Sequence, residues 1–113
     1  MSEVIAINMF TLRPDVPLAD FARFSEQQDR PVCLSKEVVT SFDAYVVEDD
    51  AGARPRIVEV MGLTSWPEWT EALAVDADLA PVVRRFGELV DTDTVTTLLV
   101  RPLTATPPEG EPA

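Results

Sequence analysis

The stretch from Val4 to Leu12 constrains this chain most, because it is a run of β-branched and apolar residues with no breaker in it. Side chains alternate along a strand, so Ala6, Asn8, Phe10 and Leu12 share one side while Ile5, Ile7, Met9 and Thr11 share the other. Both sides are largely apolar, and a strand of that kind needs cover on both faces. A chain of 113 residues, 46 % of them apolar and 26 % charged, has material for one domain with a modest core. A second copy of the chain is a natural source for the second cover. Asn8 is then a polar group in an apolar place.

The rest of the chain supplies the first cover. Arg13 to Pro17 breaks the strand, and Pro17 suits the first turn of a helix because its missing N–H needs no partner there. The spacing of Leu18, Phe21, Ala22 and Ser25, with Phe24 at the margin, predicts a helix from Pro17 to about Gln28. Pro31 should stop it near Arg30, leaving Asp29 at the exit. Val38 to Val47 reads as a second strand, and Glu48 to Pro55, with Asp49, Asp50 and Gly52, as a polar hairpin loop. A third strand spans about Arg56 to Leu63. Val58 and Val60 face one way there, and Ile57, Glu59 and Met61 the other. Glu59 is out of pattern.

Ser65-Trp66-Pro67-Glu68 has the form of a capping box, so a helix carrying Trp69, Leu73 and Ala74 should begin there and pause near Asp76 to Asp78. A further helix from Leu79 to Val90 turns Val82, Val83, Phe86 and Leu89 or Val90 inward, and Arg84 and Arg85 outward. Thr94 to Val100 is the last strand. Residues 1–103 form the domain, and the tail from Thr104, rich in proline, glycine and glutamate, is expected to be disordered. The order β-α-β-β-α-β predicts an α+β, ferredoxin-like antiparallel sheet with its helices on one face.

Charge and composition narrow the function. Nine basic residues against twenty acidic ones give a formal charge of −11, which repels phosphate backbones and anionic lipid surfaces. Neither nucleic acid nor membrane is expected as a partner, and with no signal-like segment opening the chain a cytoplasmic protein is expected. Cys33, the single cysteine, cannot form an internal disulfide, and with no histidine to activate it a packing role fits better than a nucleophilic one. The lack of histidine also removes the commonest general base and metal ligand. No glycine-rich phosphate loop occurs. The acidic stretches Glu48–Asp50 and Asp76–Asp78 lack metal-ligand spacing and read as solvated loops. No metal and no cofactor are therefore expected.

Chemistry then rests on carboxylates. Asp29 at a helix C-terminus opposes the helix dipole, so it is a general acid or base, a solvated turn residue, or one paired with Arg30 or Arg23. Glu59, mid-strand among apolar neighbours, is either a second acid working beside Asp29 or the partner of a basic residue such as Arg101. Asn8 and Tyr45 can point hydrogen-bonding groups into an apolar pocket or be satisfied core residues. Trp66 and Trp69 can stack on a flat ligand or anchor packing, and Phe10, Phe24 and Phe86 are core side chains that can also wall a pocket.

Phe24-Ser25-Glu26-Gln27-Gln28-Asp29-Arg30-Pro31-Val32 resembles the stand-alone dimeric α+β barrel proteins, in which a helix ends in a polar residue, a spacer and proline. That polar residue is histidine in the better known branch, and Asp29 stands in its place here. The Asp-x-Pro form, with Val58-Glu59-Val60 on the third strand, resembles the RedY-like branch associated with prodiginine and bisindole biosynthesis, over about Val4 to Leu103. The resemblance implies a homodimeric barrel and a cofactor-independent enzyme that directs cyclisation or a related rearrangement of a reactive indole- or pyrrole-type intermediate. It carries Asp29 and Glu59 over as catalytic residues by position. Two other readings meet the same features: a non-catalytic protein that shields or delivers a labile intermediate, and a cofactor-free oxygenase.

Overall fold

The structure is a computed structural model that describes residues 3–48 and 54–103. Asp49, Asp50 and Gly52 of the expected hairpin loop and the tail from Thr104 lie outside the described residues. The elements in chain order are β1 (Val4–Leu12), α1 (Leu18–Phe24), a π turn (Ser25–Asp29), α2 (Arg30–Leu34), β2 (Val39–Val46), β3 (Arg56–Leu63), α3 (Trp66–Val75), α4 (Ala80–Leu89) and β4 (Val90–Val100). The strands form one sheet in the order β2-β3-β1-β4, antiparallel at every pairing. This is the α+β, ferredoxin-like arrangement.

Alternation along β1 and β3 decides where the core sits. Ala6, Phe10 and Leu12 on β1 and Ile57, Met61 and Leu63 on β3 are buried on the helix side. They feed two apolar clusters. One gathers Ala6, Phe42, Met61, Leu63, Trp69 and Leu79, the other Phe10, Leu12, Phe21, Phe24, Ile57 and Val82. Asn8 pairs with Glu59 in the register between Ala6–Met61 and Phe10–Ile57, so the two polar residues sit together at the seam of the clusters. On the other side of the sheet Ile7 lies between Val60 and Leu98, and Met9 beside Val58.

Two boundaries differ from the sequence expectation. The helix does not stop at Arg30 but continues through Pro31 to Leu34. The reason is the π turn: the Arg30 N–H bonds to the Ser25 carbonyl, five residues back, which resets the ladder so that Pro31 enters the first turn of α2, where a missing donor costs little. Asp29 is thus inside a helical run and not at a helix exit, and the dipole argument made for it does not apply. The last strand starts at Val90 instead of Thr94. Its register jumps from Met9–Thr96 to Thr11–Asp91, and in the gap Thr94 Oγ1 accepts from the Thr11 N–H at 2.9 Å. A side chain fills the ladder position that the bulge vacates.

Candidate functional site

Glu59 projects from the middle of β3 toward the helices, beside Asn8, because it shares the face of Ile57 and Met61. The π turn brings Asp29 over it from the opposite layer. Both are buried, at 5 % and 4 % exposure. Cys33, one helical turn beyond Asp29, donates its S–H to Asp29 Oδ1 at 3.4 Å. These groups open on a cavity of about 280 Å³ between sheet and helices, walled by Phe42, Met61, Trp66, Trp69, Val82 and Phe86. Thr97 also reaches it and donates to Asn8 Oδ1 at 2.7 Å. That bond fixes the amide and leaves the Asn8 NH₂ as the available donor.

Electrostatics divides the two acids. Burial pushes Asp29 up to about 6, against the opposing pull of hydrogen bonds from Cys33 and Glu59. Glu59 is driven well above the usual carboxylate range by burial first, then by the charge of Asp29 and its hydrogen bond with that group. Its Oε2 is buried and has no hydrogen-bond partner among the described residues. Burial thus holds both carboxyls toward the protonated form, and the arrangement can offer a proton donor and an acceptor side by side. Burial also pushes the Cys33 thiol far up, with the Asp29 charge adding to it, so Cys33 is a hydrogen-bond donor and not a nucleophile.

Neither acid is paired off as the alternative readings would have it. Arg23 bonds Asp20 at 3.8 Å, and Arg30 donates to the Phe42 carbonyl at 2.9 Å and approaches Asp43 at 3.9 Å. The charged group that faces Glu59 is Asp29. Among the described residues no three His, Cys, Asp or Glu side chains converge as a metal site.

Of the residues expected at a pocket, the structure brings Asn8, Asp29, Glu59, Trp66, Trp69 and Phe86 together. Three are corrected. Phe10 and Phe24 do not line the cavity but lie buried behind its wall: Phe10 packs edge-on against Phe86 and Phe21, with centroids 5.0 and 5.6 Å away, and Phe24 packs on Phe21 at 5.8 Å. Tyr45 pairs with Val58 and so falls on the side of the sheet away from Glu59, 57 % exposed. Cys33, Met61 and Thr97 were not anticipated. Cys33 would have emerged had the helix been read through Pro31, since four residues separate it from Asp29.

A family model described as REDY-like protein HapK matches residues 4–102. The chain belongs to that family. The REDY-like assignment agrees with the fold of solved structures. HapK from Hahella chejuensis is 21 % identical, with 96 % of this chain and 99 % of that one covered and a TM-score of 0.69. SnoaB from Streptomyces nogalater, a cofactor-independent oxygenase, is 15 % identical over 95 % and 99 %, with a TM-score of 0.66. A dimeric protein of unknown function and ferredoxin-like fold from Bacteroides fragilis is 12 % identical over 89 % and 97 %, with a TM-score of 0.63. At these identities the likeness to the solved structures is one of fold. No curated protein matches the chain in sequence. No helix among the described residues is long and apolar enough to cross a membrane.

Proposed function

We propose that this REDY-like protein is a cofactor-independent tailoring enzyme of secondary metabolism that uses Asp29 as base and Glu59 as acid on an indole- or pyrrole-type intermediate. The observation that carries the reading is the pair itself: two buried, hydrogen-bonded carboxyls, both raised by burial, at the wall of an aromatic-lined cavity. In a cyclisation, Asp29 takes the proton from a ring N–H or adjacent C–H, and the electron pair left behind forms the new bond to an electrophilic carbon of the same molecule. The π electrons of that carbon's C=O or C=N move to the heteroatom, which takes the proton from Glu59. The net change is an isomerisation and needs no other reactant. Substrate binding in an apolar, aromatic cavity also suits a flat ligand.

A second reading, oxygenation without a cofactor, is favoured by the likeness in fold to SnoaB. The proposed assembly is a homodimer whose two sheets cover each other, supported by the apolar outer face and by the dimeric protein of the same fold. The decisive experiment incubates candidate aromatic intermediates with wild type, with Asp29→Asn and without protein, and follows products by mass spectrometry and dissolved oxygen. A rearranged product of unchanged mass, made by wild type and slowed about 10²-fold or more by Asp29→Asn, is expected. Oxygen uptake matching turnover would favour the second reading, and a bound but unaltered ligand would replace both with carriage.

A further inference from the structure

The charge of the cavity is one-sided. Of the described residues that line it, Asp29, Glu59 and Cys33 are the titratable ones, and none is lysine or arginine. The chain contains no histidine. Lys36, whose charge acts on Cys33, is not among the residues lining the cavity and is held by Asp78 at 2.8 Å and Asp76 at 3.0 Å. A ligand anion placed here would meet no counter-charge and would lie against the acid pair. Asp29 is the acceptor for a ligand N–H, the donors beside it, among them the Asn8 NH₂, are neutral and do not offset the charge of a carboxylate, and the rings of Phe42, Trp66, Trp69 and Phe86 line the walls.

We infer that this cavity selects its ligand by charge: it takes an aromatic molecule that presents an N–H group, protonated or neutral, to Asp29, and rejects the same skeleton bearing a carboxylate. This deepens the proposed function and rests on its cavity being the ligand site. It implies that any amino-acid-derived substrate reaches the protein after a reaction that has removed or masked its carboxylate.

Three probes of one skeleton test it: tryptamine, 3-ethylindole and indole-3-propionate, which end in an ammonium, a methyl and a carboxylate. Their affinities for full-length wild type are measured by calorimetry near neutral pH, at low and at high salt. Tryptamine should bind at least about tenfold tighter than indole-3-propionate, with 3-ethylindole between them. In Asp29→Asn the gap should shrink to a few-fold at most. In wild type it should persist in high salt, because the charge responsible is buried, whereas a preference owed to the overall charge of −11 would be screened away. Circular dichroism and a second variant, Glu59→Gln, which keeps the neutral form of that side chain and should preserve the ranking, guard against a folding artefact. Equal binding of the carboxylate, or an undiminished gap in Asp29→Asn, overturns the inference. A protein that ranks the probes as expected but transforms no intermediate refutes the enzyme and leaves the selectivity standing. Turnover without the ranking does the reverse.

Discussion

Asp29 and Glu59 hold their protons more tightly in the folded chain than in the unfolded one, and stability must record it. Asp29 rises from an ordinary value of 3.8 to about 6. Its contribution is full below about pH 4, where both states are protonated, and is lost as pH climbs from there through about 6, because over that window the unfolded chain has released a proton that the folded state still holds. The loss is on the order of 2–3 kcal/mol from the size of the shift. Urea denaturation from about pH 4 to 7 should show wild type losing stability relative to Asp29→Asn over that window. A constant difference between the two proteins would mean that Asp29 is not held in this way. Cys33 supplies a finer check, since its S–H is one of the two bonds that pull Asp29 down. Cys33→Ala should move the acid limb of the rate profile to higher pH, while Cys33→Ser, which keeps a donor, should leave it near the wild-type position. Glu59 was legible in the sequence because a carboxylate interrupts an apolar alternation. Tyr45, Phe10 and Phe24 were misplaced because alternation says which residues share a face, not which face meets the cavity or how deep a ring lies behind it.

The π turn is what joins the two acids. A regular α-helix running from Leu18 to Leu34 would lack a donor at Pro31 and drive its ring into the preceding turn. One extra residue in Ser25–Asp29 avoids that and turns Asp29 onto the cavity side beside Cys33. Removing Gln28 should therefore force Pro31 into an α ladder, cost roughly 3 kcal/mol, and swing Asp29 away from Glu59. Differential scanning calorimetry across pH reads both effects, the second as loss of the fall in stability through about pH 6. A deletion variant that melts like wild type with its pH dependence intact would show that the turn has no such role. Sequence rules missed this turn because they treat proline as a stop and allow no insertion in the helical register. They did better where local chemistry decides: Val4–Leu12 and Arg56–Leu63 end where their breakers stand, and Ser65 caps α3 by accepting from the Glu68 N–H at 3.2 Å. Asp91 to Asp93 reads as loop because its aspartates disfavour strands, and the tertiary pairing of Val90 with Leu12 and of Asp91 with Thr11, together with the bond between Thr94 and Thr11, makes it part of β4.

Element order, and with it the α+β sheet with helices on one side, was written in the periodicity of the whole chain. The apolar outer face was equally visible there, in Ile5, Ile7 and Met9. What covers that face is a question about assembly. The helices occupy one side of the sheet, while Leu98 stands half-exposed on the other beside Ile7. A second copy placed face to face would bury this strip, and the proposed dimer then has opposing forces. Apolar burial favours it, whereas two chains of formal charge −11 repel. Added salt screens the repulsion and leaves the apolar term, so dimer dissociation should weaken as salt rises. Analytical ultracentrifugation at two salt concentrations should give a dimer for wild type, tighter at high salt. Leu98→Glu should give a folded monomer, because the substitution places a charge on a surface that the single chain leaves open but the pair closes. A wild-type monomer at high salt and high concentration would remove the second copy as the cover, and a dimer unmoved by Leu98→Glu would place the contact on another surface.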